Sequence, residues 1–142
     1  MFKELTKYKK CNQFIFEIEN ELSEVCNAPQ EGNGVYLVYE VTGDEKELLF
    51  IGSTGTIQNN GELKVKVGGI YEKIVNAQQF GKLSRRKAWP IQMKKENIEA
   101  LEVHWFETYN EKTKHIPTYV EALILQKFLD ENARLPRWNV AF

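Results

Sequence analysis

The chain has 142 residues, a formal charge of −1, and 42% hydrophobic and 12% aromatic residues, which suits one globular domain around a single core. No apolar run approaches the ~20 residues that span a bilayer, and the opening MFKELTKYKK lacks the apolar stretch of a secretory signal, so a cytoplasmic protein with no membrane partner is expected. Cys11 and Cys26 stand apart, without CxxC or CxxH spacing, and read as two free, reduced thiols.

Residues 13–18 alternate in part, which suits a short strand, although Ile15, Ile18, Leu22 and Val25 also form a helical stripe. The favoured reading is a short extended piece followed by a helix from about Asn20, ended by Asn27-Ala28-Pro29. Gly34 to Val41 is the clearest strand, rich in β-favouring Val35, Tyr36, Val38, Tyr39 and Val41. Thr42-Gly43-Asp44 is turn chemistry, and Glu47 to Ser53 reads as the returning strand. A hairpin centred on Gly43 would set Tyr36 opposite Phe50 and Val38 opposite Leu48, with these four on one face. Val35, Leu37, Leu49 and Ile51 would take the other face. Both faces are apolar, so the sheet is expected as a middle layer.

Gly55 to Gly69 is a polar loop with a tight turn at Asn59-Asn60-Gly61. Gly69 to Ala77 reads as a helix on the stripe Ile70, Ile74 and Ala77. Ser84 to Asn97 is helical in part, started or kinked at Trp89-Pro90. Leu101 to Thr108 alternates as a third strand. Pro117 to Asn132 is the strongest helix, carrying Val120, Leu123, Ile124, Phe128 and Leu129. Residues 134–142 form a tail containing Pro136-Arg137-Trp138-Asn139.

Charge is uneven. Glu62 to Lys95 holds nine Lys and Arg against two Glu. Lys64, Lys66, Lys82, Arg85, Arg86 and Lys87 therefore offer a cationic face to a polyanion such as DNA, or a merely solvated surface. Two aromatic residues, Trp89 and Trp105, could instead mark a protein-contact surface.

Glu121 and Lys127 are the only ionisable side chains besides tyrosine between His115 and Asp130. Glu121 sits beside Val120, Ala122 and Leu123, with Ile124 and Leu125 one turn on. It either points to solvent or needs a cation, a metal or a hydrogen-bond donor. Lys73 flanks its helix's apolar stripe and either snorkels or aims its charge at an anion. Tyr36 is a packing ring or a hydroxyl in a site. Gly52, straight after an apolar strand, allows close approach of a backbone or ligand. Asn139 either ties down the tail or joins a site. His104 and His115 have no partner at ligand spacing, so zinc is not expected. No G-x-S-x-G, P-loop or G-x-G-x-x-G occurs, so acyl transfer has no support and no nucleotide cofactor is expected.

Taken in order, these pieces resemble a GIY-YIG nuclease domain over residues 34–139, with residues 1–33 as an N-terminal extension of one domain. Gly34-Val35-Tyr36 stands for Gly-Ile-Tyr, and Phe50-Ile51-Gly52 for Tyr-Ile-Gly. The Gly69–Ile74 helix takes the place of the arginine-bearing helix, Pro117–Ala122 resembles the metal-binding glutamate segment, and Pro136–Asn139 resembles the closing asparagine segment. The resemblance implies an α+β fold with a small three-stranded antiparallel sheet sandwiched between helices. It also implies an endonuclease hydrolysing DNA phosphodiesters with one Mg²⁺ or Mn²⁺ on Glu121, and a site of Tyr36, Lys73, Glu121 and Asn139. Three positions depart from the pattern. Phe50 replaces the second tyrosine, Lys73 stands where arginine is expected, and Ala77 offers no proton-transfer group. A weakened nuclease, a nucleic-acid-binding module and a protein-interaction domain are the alternatives.

Overall fold

The computed structural model describes residues 2–64 and 68–142. The chain is an α+β fold in which one antiparallel sheet lies between two layers of helices. A short 3-10 turn, Lys3–Leu5, precedes β1 (Cys11–Glu17) and the single-turn α1 (Leu22–Val25). The hairpin β2 (Asn33–Thr42) and β3 (Glu45–Thr54) follows, then α2 (Gly69–Asn76), α3 (Arg85–Glu96), β4 (Ala100–Tyr109) and α4 (Pro117–Asn132). Strand order is β1-β4-β2-β3, so the sheet has four strands rather than three. The fourth is the extended piece near residue 13: β1 pairs with β4 and places Phe14 opposite Val103 and Phe16 opposite Leu101. Residues 1–33 thus contribute an edge strand to the same sheet and core as residues 34–139.

Alternation along the strands divides the core in two. Phe14, Phe16, Tyr36, Val38, Leu101, Val103 and Trp105 face α1, α2, α3 and the tail, packing with Ile70, Ile74, Trp89, Met93 and Trp138. Val35, Leu37, Tyr39, Leu48 and Ile51 face Val120, Ile124 and Leu125 of α4, with Leu5 and Tyr8 from the N-terminal segment. Both sheet faces are covered, as the unbroken apolar run of β2 requires.

The hairpin register differs from the simple reflection about Gly43. The turn is two residues long, with Gly43 at φ +62 in the first central position, where glycine suits the strand twist. Tyr39 pairs with Leu48, but Val38 pairs with Phe50, leaving Leu49 as an extra residue in a bulge. Tyr36 therefore lies opposite Gly52, not Phe50. The bulge also exchanges two faces: Leu48 joins the α4 side and Leu49 the α2–α3 side. The run Leu48-Leu49-Phe50-Ile51 is apolar throughout, so its composition carries no mark of the slip.

Two further details set the site. The start of α2 is seated on the N-terminal region, because Ile70 N–H donates to the Gly32 carbonyl at 3.0 Å and Tyr71 N–H to the Pro29 carbonyl at 3.1 Å. Those donors are thereby used within the fold. The helix α3 starts at Arg85 and runs through Pro90. The missing Pro90 N–H falls on the turn of Arg86, an exposed residue, so water can serve the freed carbonyl.

Among the described residues no helix is long and apolar enough to cross a membrane.

β2 and β4 approach closely at Gly34, where the register shifts between Asn33 and Gly34. A Cβ at Gly34 would lie 1.9 Å from the Phe106 carbonyl oxygen and 2.8 Å from the Thr108 nitrogen. These are backbone atoms that no rotamer change can move. Gly34→Ala should lower stability by about 3 kcal/mol, the upper part of the range for overpacking, read as a fall in the denaturant midpoint. An unchanged midpoint would mean that the two strands do not come this close.

Candidate functional site

The centre of the candidate site is Tyr36, 1% exposed. Because Gly52 lies opposite, the tyrosine ring can cover the strand. A Cβ at Gly52 would come within 2.5 Å of Tyr36 Cζ and its hydroxyl oxygen. Phe50 stands beside the ring with centroids 6.1 Å apart. The Tyr36 hydroxyl accepts a hydrogen bond from Arg85 Nη1 at 2.7 Å.

The sequence groups Arg85 with an exposed cationic face, but Arg85 is 3% exposed. On α3 it shares a face with buried Ala88, Trp89 and Met93, at the spacing of an apolar stripe. The run Arg85-Arg86-Lys87 hides that stripe, since all three residues look alike while the helix turns only the first inward. Nη1 also donates to the Lys73 carbonyl at 2.9 Å, and Nε donates to Gln79 Oε1 at 2.9 Å. The guanidinium carbon sits 5.3 Å from the Tyr36 ring centre, 5.1 Å from Phe50 and 5.6 Å from Trp89. Aromatic faces of this kind stabilise a desolvated cation by about 2 kcal/mol or more. No carboxylate pairs with Arg85 among the described residues. A buried charge is ordinarily paired; among the described residues this one is held by oxygens and ring faces instead.

Glu121 lies on α4 and is half-buried. Its carboxylate accepts a hydrogen bond from the Ser53 hydroxyl, on the residue after Gly52. Burial pushes its pKa above the ordinary carboxyl value, while the Ser53 hydrogen bond and the Lys73 charge pull the other way. Lys73 is exposed and belongs to both halves: its carbonyl anchors Arg85 and its charge acts on Glu121.

The other expected residues divide. Asn139 is buried at 9% exposure, and its amide is committed to the backbone of β3. Oδ1 accepts from Ile51 N–H at 2.9 Å and Nδ2 donates to the Ile51 carbonyl at 3.0 Å. With Trp138 N–H on the Leu49 carbonyl, it fastens the tail along the outer edge of the sheet. Lys64, Lys82, Arg86 and Lys87 are exposed, whereas Lys66 lies outside the described residues. Trp89 and Trp105 are buried at 0% and 8% exposure, with Trp105 Nε1 donating to Asn27 Oδ1 at 2.8 Å. They form no contact surface. The sequence does not single out Ser53 or Gln79, nor does it show the buried roles of Arg85 and Trp89.

Glu121 and Ser53 bring a carboxylate and a hydroxyl together, and no group of three His, Cys, Asp or Glu gathers among the described residues. That donor set fits a hard cation such as Mg²⁺, which keeps several waters and takes one or two carboxylates. It does not fit zinc. No family model, no curated protein and no solved structure matches the chain.

Because the folded chain raises the Glu121 pKa above its ordinary value of 4.5, the associated stability is complete below the unfolded value. It is lost as pH rises through the folded one. Glu121→Gln keeps a hydrogen-bonding group without the charge. With divalent ions chelated, the variant should match the parent near pH 4 and become the more stable of the two towards pH 7, measured by denaturant midpoints. A difference independent of pH would mean that burial does not govern this carboxyl.

Proposed function

We propose that this chain is a GIY-YIG-like endonuclease domain that hydrolyses DNA phosphodiester bonds. The observation that carries the reading is the buried Arg85 guanidinium, held by the Tyr36 hydroxyl and lacking a carboxylate partner among the described residues. A phosphodiester anion resists nucleophilic attack until its charge is offset, and a preorganised guanidinium in a dry setting offsets it well. In this reading Arg85, from α3, supplies the guanidinium that the sequence resemblance places at Lys73. Lys73 adds a second positive charge at the outer side.

Tyr36 orients the attacking water through the hydroxyl fixed by Arg85 and relays the water's proton, releasing its own hydroxyl proton to solvent as it accepts the new one. The water oxygen forms the new bond to phosphorus while the leaving oxygen departs. Glu121 and Ser53 would hold one Mg²⁺ or Mn²⁺, which when bound supplies charge stabilisation for the leaving oxygen. Asn139 acts from behind by fixing β3 at Ile51, one residue from Gly52. The exposed Lys82, Arg86 and Lys87 would follow the phosphate backbone.

A second reading has its own support. Tyr36 is almost fully buried and Phe50 carries no hydroxyl, which favours a DNA-binding module of the same architecture without cleavage.

Incubation of the protein with single-stranded, nicked, branched and duplex DNA, with Mg²⁺ or Mn²⁺ and with chelator, separates the readings. Cleavage should need the metal and disappear in Glu121→Gln. Tyr36→Phe should slow it by roughly 10²-fold, the scale of one general acid–base group. Log affinity should fall by about 0.9 per neutralised phosphate as log salt rises, with a flatter slope in the Arg86→Ala, Lys87→Ala double variant. Salt-sensitive binding without cleavage of any form selects the second reading. A salt slope near zero in the parent overturns both.

A further inference from the structure

The loop between α2 and α3 holds a bulky residue in a conformation that bulky residues avoid. Phe80 has φ +62, in the left-handed region where glycine and asparagine are at home and a ring is an outlier. With Gly81 at φ +134 it forms the tip of a closed loop. Gln78 bridges Ser84, and Gln79 N–H reaches the Leu83 carbonyl at 3.4 Å. The Phe80 ring stands edge-on to Trp138 with centroids 4.9 Å apart, yet Phe80 stays 44% exposed. Backbone strain of this kind persists where the surroundings impose it, and it gathers at functional sites.

The neighbouring residue carries a second, independent anomaly. Gln79 Oε1 accepts from both Arg85 Nε and Trp89 Nε1, each at 2.9 Å. Two donors on that atom fix the amide orientation, because Nε2 in its place could accept from neither. Nε2 is then a buried donor without a partner among the described residues. Leaving such a donor unmade costs about 1–3 kcal/mol, and native structures rarely tolerate it without a reason. Lys82, two residues beyond Phe80, is exposed.

We propose that residues 77–84 form a binding site for an unpaired nucleobase, so that the DNA taken by this chain has at least one unpaired nucleotide. This rests on the DNA reading above and narrows it. Phe80, 44% exposed, offers its ring to the base, and every base has a π-face to stack. In a paired duplex that face is covered by the neighbouring base pairs, so a stacking ring selects single strands, bulges and flaps. Gln79 Nε2, buried in the free chain, gains an acceptor on the base edge as the Phe80 loop shifts to admit the base. The exposed Lys82 takes the adjoining phosphate. A merely structural Phe80 would serve as an apolar cover for Trp138, and leucine would do that as well.

The test is the affinity of the full-length chain, in chelator so that nothing is cut, for one duplex and for the same duplex carrying a single-base bulge. A fluorescent adenine analogue sits at the bulge. The parent should prefer the bulged duplex by roughly tenfold, within the range for stacking one base on an aromatic ring, and should quench the analogue. Phe80→Leu should lose both the preference and the quenching while binding the paired duplex as the parent does. Phe80→Tyr should keep both, and thermal melts of the two variants check that each is folded. Equal binding of bulged and paired duplex by the parent, or a preference that survives in Phe80→Leu, overturns the loop site and leaves the DNA reading standing. Absence of binding to any DNA overturns the DNA reading and the loop site with it.

Discussion

The hydrogen bond between the Tyr36 hydroxyl and Arg85 is the contact on which the surrounding structure depends. Arg85 draws together four parts of the chain: Tyr36 from β2, the Lys73 carbonyl at the end of α2, Gln79 from the connecting loop, and its own helix α3. Taking a cation out of water costs several kcal/mol. Here the cost is met by oxygens and ring faces rather than by an opposite charge. That solution is demanding, because three rings must surround one guanidinium. Tyr36 reaches it only because Gly52 leaves the opposite strand bare, and Gly52 is opposite Tyr36 only because Leu49 is bulged out of register. A bulge, a glycine and an inward arginine therefore form one device.

The strands and the long helix were legible because their signals are local. β2 is dense in β-branched and aromatic residues, and α4 begins at Pro117, where proline is at home in the first turn. Glu121 stands out in the sequence for a similar reason, because a carboxylate alone on an apolar helix is unusual in itself, whereas the sequence sets Tyr36 opposite Phe50 and only the fold brings it opposite Gly52. What escaped was relational. The bulge at Leu49 falls in four consecutive apolar residues, so no alternation betrays it. Arg85 sits in a run of three cations, and only the position of Ala88, Trp89 and Met93 shows which one turns inward. The pairing of Asn139 with Ile51, across 88 residues, leaves no trace in either segment, and Gln79 has no distinctive neighbour until the fold supplies two.

The two halves of the site come from opposite layers. Tyr36, Phe50 and Arg85 belong to the α2–α3 side, whereas Glu121 belongs to α4 and is reached through Ser53. Successive residues of β3 point to opposite faces, so Gly52 and Ser53 serve the two layers in turn. Lys73 joins them electrically. An anion meeting this edge of the sheet would find a rigid guanidinium on one side and a carboxylate with a hydroxyl on the other. Those are the complementary requirements of a phosphate group and of a hard cation that accompanies it.

The distribution of costly features across the fold supports placing function at this edge. Glu102 shows how the same chain treats another buried charge. It is 7% exposed, and burial pushes its pKa upward. Lys46 and His104, each at 2.6 Å, more than compensate and hold it below the ordinary value. Arg137 is likewise surrounded by Glu40, Glu47 and Glu96. In those places every charge has its counterpart. Around Arg85 and Glu121 the fold does the opposite among the described residues: it buries a cation without a carboxylate, leaves burial in command of a carboxyl, and leaves a Gln79 donor unmade beside a phenylalanine at positive φ. A sequence able to pair its charges elsewhere has left this set open, and open polar groups held in rigid positions are what a ligand closes.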